Sequence, residues 1–396
     1  MKVGEREIFV PSPAAGTYVS GGAFYTRPSG LEMMSIHGYE TRNDICDVSF
    51  HRWSDDNGRT WSEPRAVETY VKADGVARQR CLTPGILDPR TGRLLFFILQ
   101  GYLPNENCLD GMTHYGVLWA ISEDGGRSLC HEEPLVQRGD QYSEMHPIEG
   151  VWIGRNCIMN GVNALWLETG QVLFPAMVTR LGPDGNYYNP LGAFTYTDVV
   201  VLLGTWERGR LAWDWLARVE FELSQSTRGA IEPTLAAFPA GRILMVMRGS
   251  NSLRPQMPGY KWYCVSSDGG RRWTPPEPWG YVGGERFFSP SSISMFLPHS
   301  SGRTFWIGNI APRNPDGNQP RYPLVIAEVD ADSLMLIKDS VTVVEDRRPE
   351  DHPGIQFSNF QAHEDRQTGE VVVYLPFFYT TREGWTGSLH RYRVAA

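Results

Sequence analysis

No stretch of the 396-residue chain reaches the ~18 consecutive apolar residues of a membrane span. Its first residues, Met1 to Glu7, also lack the basic start and apolar run of an export signal. A cytoplasmic protein with no membrane partner is therefore expected. Cationic charge is in short supply: 37 Lys and Arg stand against 45 Asp and Glu, a formal net charge of -8. Such a surface offers no basic field to a phosphate backbone, so nucleic acid is not an expected partner. Six cysteines form no C-x-x-C pair and have no His at zinc-finger spacing, and H-E-x-x-H is missing too. They read as reduced, mostly buried thiols, and no metal is expected. Phosphate loops of the G-x-x-x-x-G-K-[ST] and G-x-G-x-x-G types are absent, so no cofactor is expected.

Long amphipathic helical stretches are equally hard to find. What is present is a set of short apolar runs punctuated by turn residues, among 41 Gly and 28 Pro spread evenly along the chain. That pattern favours an all-β chain. Six segments repeat one design, a turn glycine followed by an apolar strand: Gly30 to His37, Gly92 to Leu99, Gly170 to Met177, Gly241 to Arg248, Gly302 to Asn309 and Gly369 to Pro376. The glycines lie 62, 78, 71, 61 and 67 residues apart by subtraction. A period near 68 suits four strands with long loops.

A second repeat is interleaved with the first. Ser54 to Trp61, Ser122 to Leu129 and Ser266 to Trp273 follow S-x-D-x-G-x-[ST]-W, the last two imperfectly. Ser and Asp side chains serve the turn backbone, Gly takes the left-handed position, and Trp fills the gap between neighbouring sheets. These segments resemble the Asp-box of sialidases and related propellers. The resemblance implies an all-β, six-bladed β-propeller of four-stranded antiparallel blades, with residues 1–396 as one domain. The boxes begin 68 and 144 residues apart, so one blade, near Thr197 to Trp215, has lost its copy. Ala327 to Asp332 reads as a degenerate relic, and Met1 to Thr26 is expected to share the closing blade with the segment ending at Ala396.

Ligand chemistry is expected on the face opposite the boxes, where long loops follow the second strands. The seventh residue after each repeat glycine samples that face: His37, Leu99, Met177, Arg248, Asn309 and Pro376. Starts of the inner strands add Arg80, Asn160, Glu232, Ser289 and Ser358. Glu232-Pro233-Thr234 with Gly241 to Arg248 resembles the sialidase segment in which a Glu and an Arg meet on adjacent strands. In that family the Arg belongs to a triad clamping the substrate carboxylate, and the Glu is base to a nucleophilic Tyr. A guanidinium binds carboxylate in bidentate fashion, which suits Arg248. Arg313 is the second triad candidate, with Arg321 as its alternative.

Other family positions depart from the pattern. Where the family has F/Y-R-I-P, this chain reads Tyr18-Val19-Ser20-Gly21-Gly22, without the first Arg. Phe357 stands where the nucleophilic Tyr is expected, and Asp44 or Glu40 where the acid Asp lies. His37, with His114 and His146 on loops, supplies a general-base candidate. The resulting expectation is an acidic oligosaccharide as partner, with Asp44, Glu232 and His37 catalytic. Arg80, His146, Arg248, Asn309, Arg313 and Phe357 are the expected substrate-binding residues, Asn309 through a hydroxyl. Aromatic loops suit a sugar: Tyr102, Tyr115, Tyr142, Tyr187, Tyr188, Tyr260, Phe287, Phe377 to Tyr379 and Trp385. Hydrolysis of a terminal acidic sugar is the first reading; β-elimination at a uronic acid and a non-catalytic sugar binder are the alternatives.

Overall fold

The computed structural model describes residues 1–73, 76–379 and 385–396. Six antiparallel sheets follow one another along the chain, and the molecule is a six-bladed β-propeller. Blade one is Tyr18–Tyr25, Met33–Glu40, Val48–Ser54 and Arg65–Glu68, hydrogen-bonded in that order. Blades four and five have the same four-strand plan, at Ile231–Phe238 to Glu277–Pro278 and at Met295–Pro298 to Thr342–Glu345. In blades two, three and six the inner strand is broken in two, as at Ile158–Asn160 and Leu165–Trp166.

The six repeat glycines all open a hairpin with positive φ, from 69° at Gly241 to 88° at Gly30. An L side chain reaches that conformation only with strain, which is why the repeat is spelled with glycine. Between sheets the apolar sides of the strands interlock. Phe97 of blade two stacks on Phe174 of blade three at 4.0 Å, and the wholly buried Trp279 and Trp306 meet at 5.4 Å where blades four and five join. Each such side chain withdrawn from water contributes roughly 1.5–3 kcal/mol.

Closure uses both ends of the chain. Lys2–Val3 and Glu7–Val10 pair with Leu389–Ala395, completing blade six. Tyr18–Tyr25, by contrast, is the inner strand of blade one, so only the first part of Met1 to Thr26 joins the closing blade. Among the described residues no helix is long and apolar enough to cross a membrane.

The three Asp-boxes are hydrogen-bonded turns. In each, the Ser hydroxyl accepts from the N–H of the glycine four residues on, at 2.9 Å for Gly58, 2.8 Å for Gly126 and 2.9 Å for Gly270. Hydrogen bonds hold Asp56, Asp124 and Asp268 down at about 2, against burial in the case of Asp124. Trp61 packs on Phe9, which belongs to blade six, at 5.8 Å. Blade three has a plain Arg208-Gly209 hairpin instead, both residues at positive φ. In blade five, Asp330 caps Ser333 where the relic was expected. Ser54 pairs with Met33, and Glu40 lies at the other end of that strand, about 23 Å away at 3.3 Å per residue. Ser266→Ala is therefore expected to lower unfolding stability by about 1–2 kcal/mol in urea titration, leaving ligand affinity unchanged.

Candidate active site

The ends of the strands opposite the boxes surround a cavity of about 580 Å³ on the propeller axis. Every blade contributes to its lining. Blades two and three supply an apolar, sulfur-rich sector in which Cys81, Leu99, Met112, Met159 and Met177 take part. Blades four and five bring cations, while blades six and one bring aromatic rings and carboxyl groups.

Arg248 closes the strand Arg242–Arg248 and is buried. Its Nη1 donates to both carboxylate oxygens of Glu232 at 2.8 Å, its Nε to Ser291 Oγ at 2.8 Å and its Nη2 to Asn318 Oδ1 at 3.3 Å. Glu232 reaches this position because the ladder of blade four slips between Ile231 and Thr234, leaving Glu232 at φ 46° ahead of Pro233. Such a bulge re-aims a side chain at the cost of backbone strain. Burial acts to raise the Glu232 carboxyl, but Arg248, then Arg321 and Lys261, outweigh it and hold the group below its ordinary range.

Two further arginines are buried in the wall. Arg228 donates from Nε and Nη2 to Thr195 Oγ1 at 3.2 and 2.8 Å. Arg321 donates to the Ser291 carbonyl at 3.1 and 2.9 Å and to Gln356 Oε1 at 2.8 Å. Burial, followed by repulsion from Arg248, brings each guanidinium down to about 9. Among the described residues neither has an ion-pair partner. Behind them the fully buried Lys261, cross-strand from Arg248, donates to the Ser292 carbonyl.

Blade one places its carboxyl groups on the other side of the axis. Asp44 stands at φ 55° in the loop after the second strand, its carbonyl accepting from Gln79 Nε2 at 3.1 Å. Its surface is open to the cavity, yet protein surrounds it. That enclosure, then Glu232, raises its carboxyl, while Arg321, Arg248 and Arg228 act to lower it. Glu40, which pairs cross-strand with Tyr18, accepts from Ser20 Oγ at 2.7 Å.

Of the residues expected from sequence, Asp44, Glu232 and Arg248 share this cavity, together with Leu99, Met177 and the alternatives Glu40 and Arg321. The others lie elsewhere, mostly through strand parity, since successive side chains point to opposite faces. His37 pairs with Gly21, one residue out of phase with the Ser20–Gly38 and Tyr18–Glu40 pairs, and stacks on Phe50 at 5.4 Å. Arg80 likewise points outward to an ion pair with Glu132, between the cavity residues Gln79 and Cys81. Phe357 is wholly buried against Phe377 while its neighbour Gln356 faces the cavity. Asn309 is spent on the carbonyls of Pro323 and Phe357, each at 3.1 Å. Arg313 is exposed on a loop outside the cavity lining. His146 Nδ1 donates to Val151 O, 2.6 Å away, and the ring stacks on Trp152; His114 Nδ1 contacts Asp110 O at 2.9 Å. Of the aromatics named from sequence, Tyr115, Phe378, Tyr379 and Trp385 line the cavity, with Tyr18 and Phe194 in addition.

Sequence reasoning missed Arg228 altogether. Its signal was an arginine four residues before Glu232 in an otherwise uncharged run, Gly229-Ala230-Ile231.

A model of the BNR repeat-like domain matches residues 41–350, well over half of the chain. The chain belongs to the BNR repeat-like domain family. No curated protein sequence matches this family member. Solved structures do. A protein of unknown function from Dyadobacter fermentans superimposes with a TM-score of 0.63 at 14% identity, covering 98% of this chain and 99% of that one. The K499G mutant of NanB sialidase from Streptococcus pneumoniae gives 0.62 at 12% identity over 98% and 70%. Trypanosoma rangeli sialidase, in complex with 2,3-difluorosialic acid as a covalent intermediate, gives 0.64 at 11% identity over 98% of this chain and 58% of that one. At these identities the likeness is one of fold.

Proposed function

We propose that this BNR repeat-like protein hydrolyses the glycosidic bond of a terminal acidic sugar. The observation that carries the reading is the pair Arg228 and Arg321: two buried guanidinium groups on the cavity wall with no carboxylate partner among the described residues. A buried charge costs several kcal/mol unless it is paired, and a substrate carboxylate between these groups and Arg248 supplies the pairing. Glu232, already engaged by Arg248, serves as fixed counter-ion and holds that guanidinium in place. The likeness in fold to sialidases, one of them bound to a sialic acid derivative, supports the same substrate class.

Two features favour hydrolysis of a substituted acidic sugar over elimination at a uronic acid. The sector formed by blades two and three offers thiols, thioethers and Leu99, which suit an apolar substituent better than a ring of hydroxyls. Elimination needs a base to remove a carbon-bound proton, and Glu232 is poorly free to take one because both its oxygens already accept from Arg248 Nη1.

The test is incubation with sialosides and uronic-acid oligosaccharides, followed by mass spectrometry and by the absorbance of a conjugated double bond. Gain of one water without absorbance is the expected result, with turnover lost in Arg321→Met. Absorbance without water uptake would establish the lyase, and binding without any product would leave a sugar-binding propeller.

A further inference from the structure

Three carboxyl groups line the cavity, and their surroundings differ in one respect. Glu232 is held by Arg248, and Asp44 feels all three arginines. Glu40 has neither advantage. Its Oε1 accepts from Ser20 Oγ at 2.7 Å, and among the described residues no cation and no N–H donor reaches either oxygen. Among the same residues Oε2 has no partner. Tyr18 is its cross-strand neighbour, the adjoining thiols are Cys46 and Cys81, and the charged groups that act on it among the described residues are the carboxyl groups of Asp44 and Asp47. Arg42, two residues further on, is turned away to Asp47 at 3.0 Å and lies over the Tyr70 ring. A carboxyl group withdrawn from water, beside like charge and without a cation, keeps its proton.

Resting on the hydrolytic reading above, we infer that Glu40, rather than Asp44, is the proton donor to the leaving-group oxygen. The proton sits on Oε2, because Ser20 occupies Oε1 as a donor. As the bond between the anomeric carbon and the leaving oxygen breaks, that oxygen takes the proton and the aglycone departs as an alcohol. Water entering where the alcohol left gives its hydroxyl to the anomeric carbon and its second proton to Glu40, which is restored. Burial, opposed by the Ser20 hydrogen bond and reinforced by Asp44 and Asp47, pushes Glu40 up to about 8, so the donor is charged at neutral pH only in a minority of molecules. A neutral acid in the same site as the Arg248-paired Glu232, which is held below its ordinary range, separates the two roles.

The test compares methyl and p-nitrophenyl sialosides in the wild-type protein and in Glu40→Gln. Glutamine keeps the Ser20 contact but has no proton to give. The methyl substrate needs a protonated leaving group, so its kcat/KM is expected to fall about 10²–10⁴-fold. The p-nitrophenyl substrate leaves as a stabilised anion, so its rate is expected to stay within about 5-fold, which also shows that the variant is folded. In the wild type, kcat/KM on the methyl substrate falls as the pH rises past Glu40's range, and Glu40→Gln lacks that fall. Equal losses on both substrates, or a methyl rate that survives in Glu40→Gln and vanishes in Asp44→Asn, would overturn the assignment of Glu40 alone. A wild type silent on both sialosides would overturn it together with the hydrolytic reading.

Discussion

Arg228→Met is expected to make the protein more stable and at the same time to remove its grip on an acidic ligand. Arg228 is buried, its guanidinium has only Thr195 Oγ1 as acceptor among the described residues, and Arg248 and Arg321 repel it. Methionine follows the unbranched arginine stem as far as Nε, can pack against Phe194, over whose ring the guanidinium now lies at 5.4 Å, and carries no charge to desolvate. Replacing buried ionic groups with apolar ones of similar volume commonly stabilises by roughly 1–4 kcal/mol. The ligand side runs the other way. A charge-assisted hydrogen bond contributes about 1.5–3 kcal/mol, so the dissociation constant or KM should rise roughly 10- to 150-fold. Urea unfolding and isothermal titration with a sialic acid derivative read the two halves separately. A variant that binds normally would remove Arg228 from the carboxylate site, and one that is destabilised would show that its charge is compensated in the free protein.

The opposite outcome is expected at Arg248. Arg248→Met leaves the Glu232 carboxylate without its partner in a protein-enclosed position, and losses of about 3–5 kcal/mol accompany such half-broken pairs. Because Glu232 is held below its ordinary range in the folded protein, its contribution is present above the unfolded carboxyl pKa and is lost as pH falls through the lower folded value. In Arg248→Met the sign reverses: Glu232 is raised by burial, the cost is greatest at neutral pH, and acid relieves it by protonation. The double variant Arg248→Met with Glu232→Gln should recover most of the stability lost at pH 7, while ligand binding stays absent. Equal instability of the single variant at pH 5 and pH 7 would show that packing, not charge, holds this corner together.

The architecture was open to reading because its signals are local. Positive φ at six repeat glycines and the Ser–Asp–Gly contacts of the boxes are satisfied within a few residues, and so they are written into short motifs. The cavity is different. Counting seven residues from each glycine reached it at Leu99, Met177 and Arg248, which fall on the cavity side of their strands. In blade one the strand begins at Met33, three residues after its glycine and not two as in blades two and three, so the same count lands on His37, on the wrong side of the pleat. A single residue of phase likewise separates Arg80 from Gln79 and Phe357 from Gln356. Arg321 lies twelve residues beyond Asn309 at the end of an irregular loop, Pro320-Arg321-Tyr322-Pro323, whose path no periodicity predicts. Arg228 precedes its strand and is turned inward by a parallel bridge, Thr197 to Gly229, between blades three and four. Contacts made between distant segments leave no spacing rule behind them.

The seam at blade six places a mechanical condition on the chemistry. Tyr18 and Glu40 stand on one side of that seam and Gln356, Phe378 and Arg321 on or beyond the other, so the two halves of the cavity are held at a fixed spacing by Lys2–Val3 and Glu7–Val10 clasping Leu389–Ala395. The opening segment of the chain, both of whose strands pair with Leu389–Ala395, is thus the buckle of a belt: unfastening it is expected to let the ring widen and part the acid from the arginines before the blades melt.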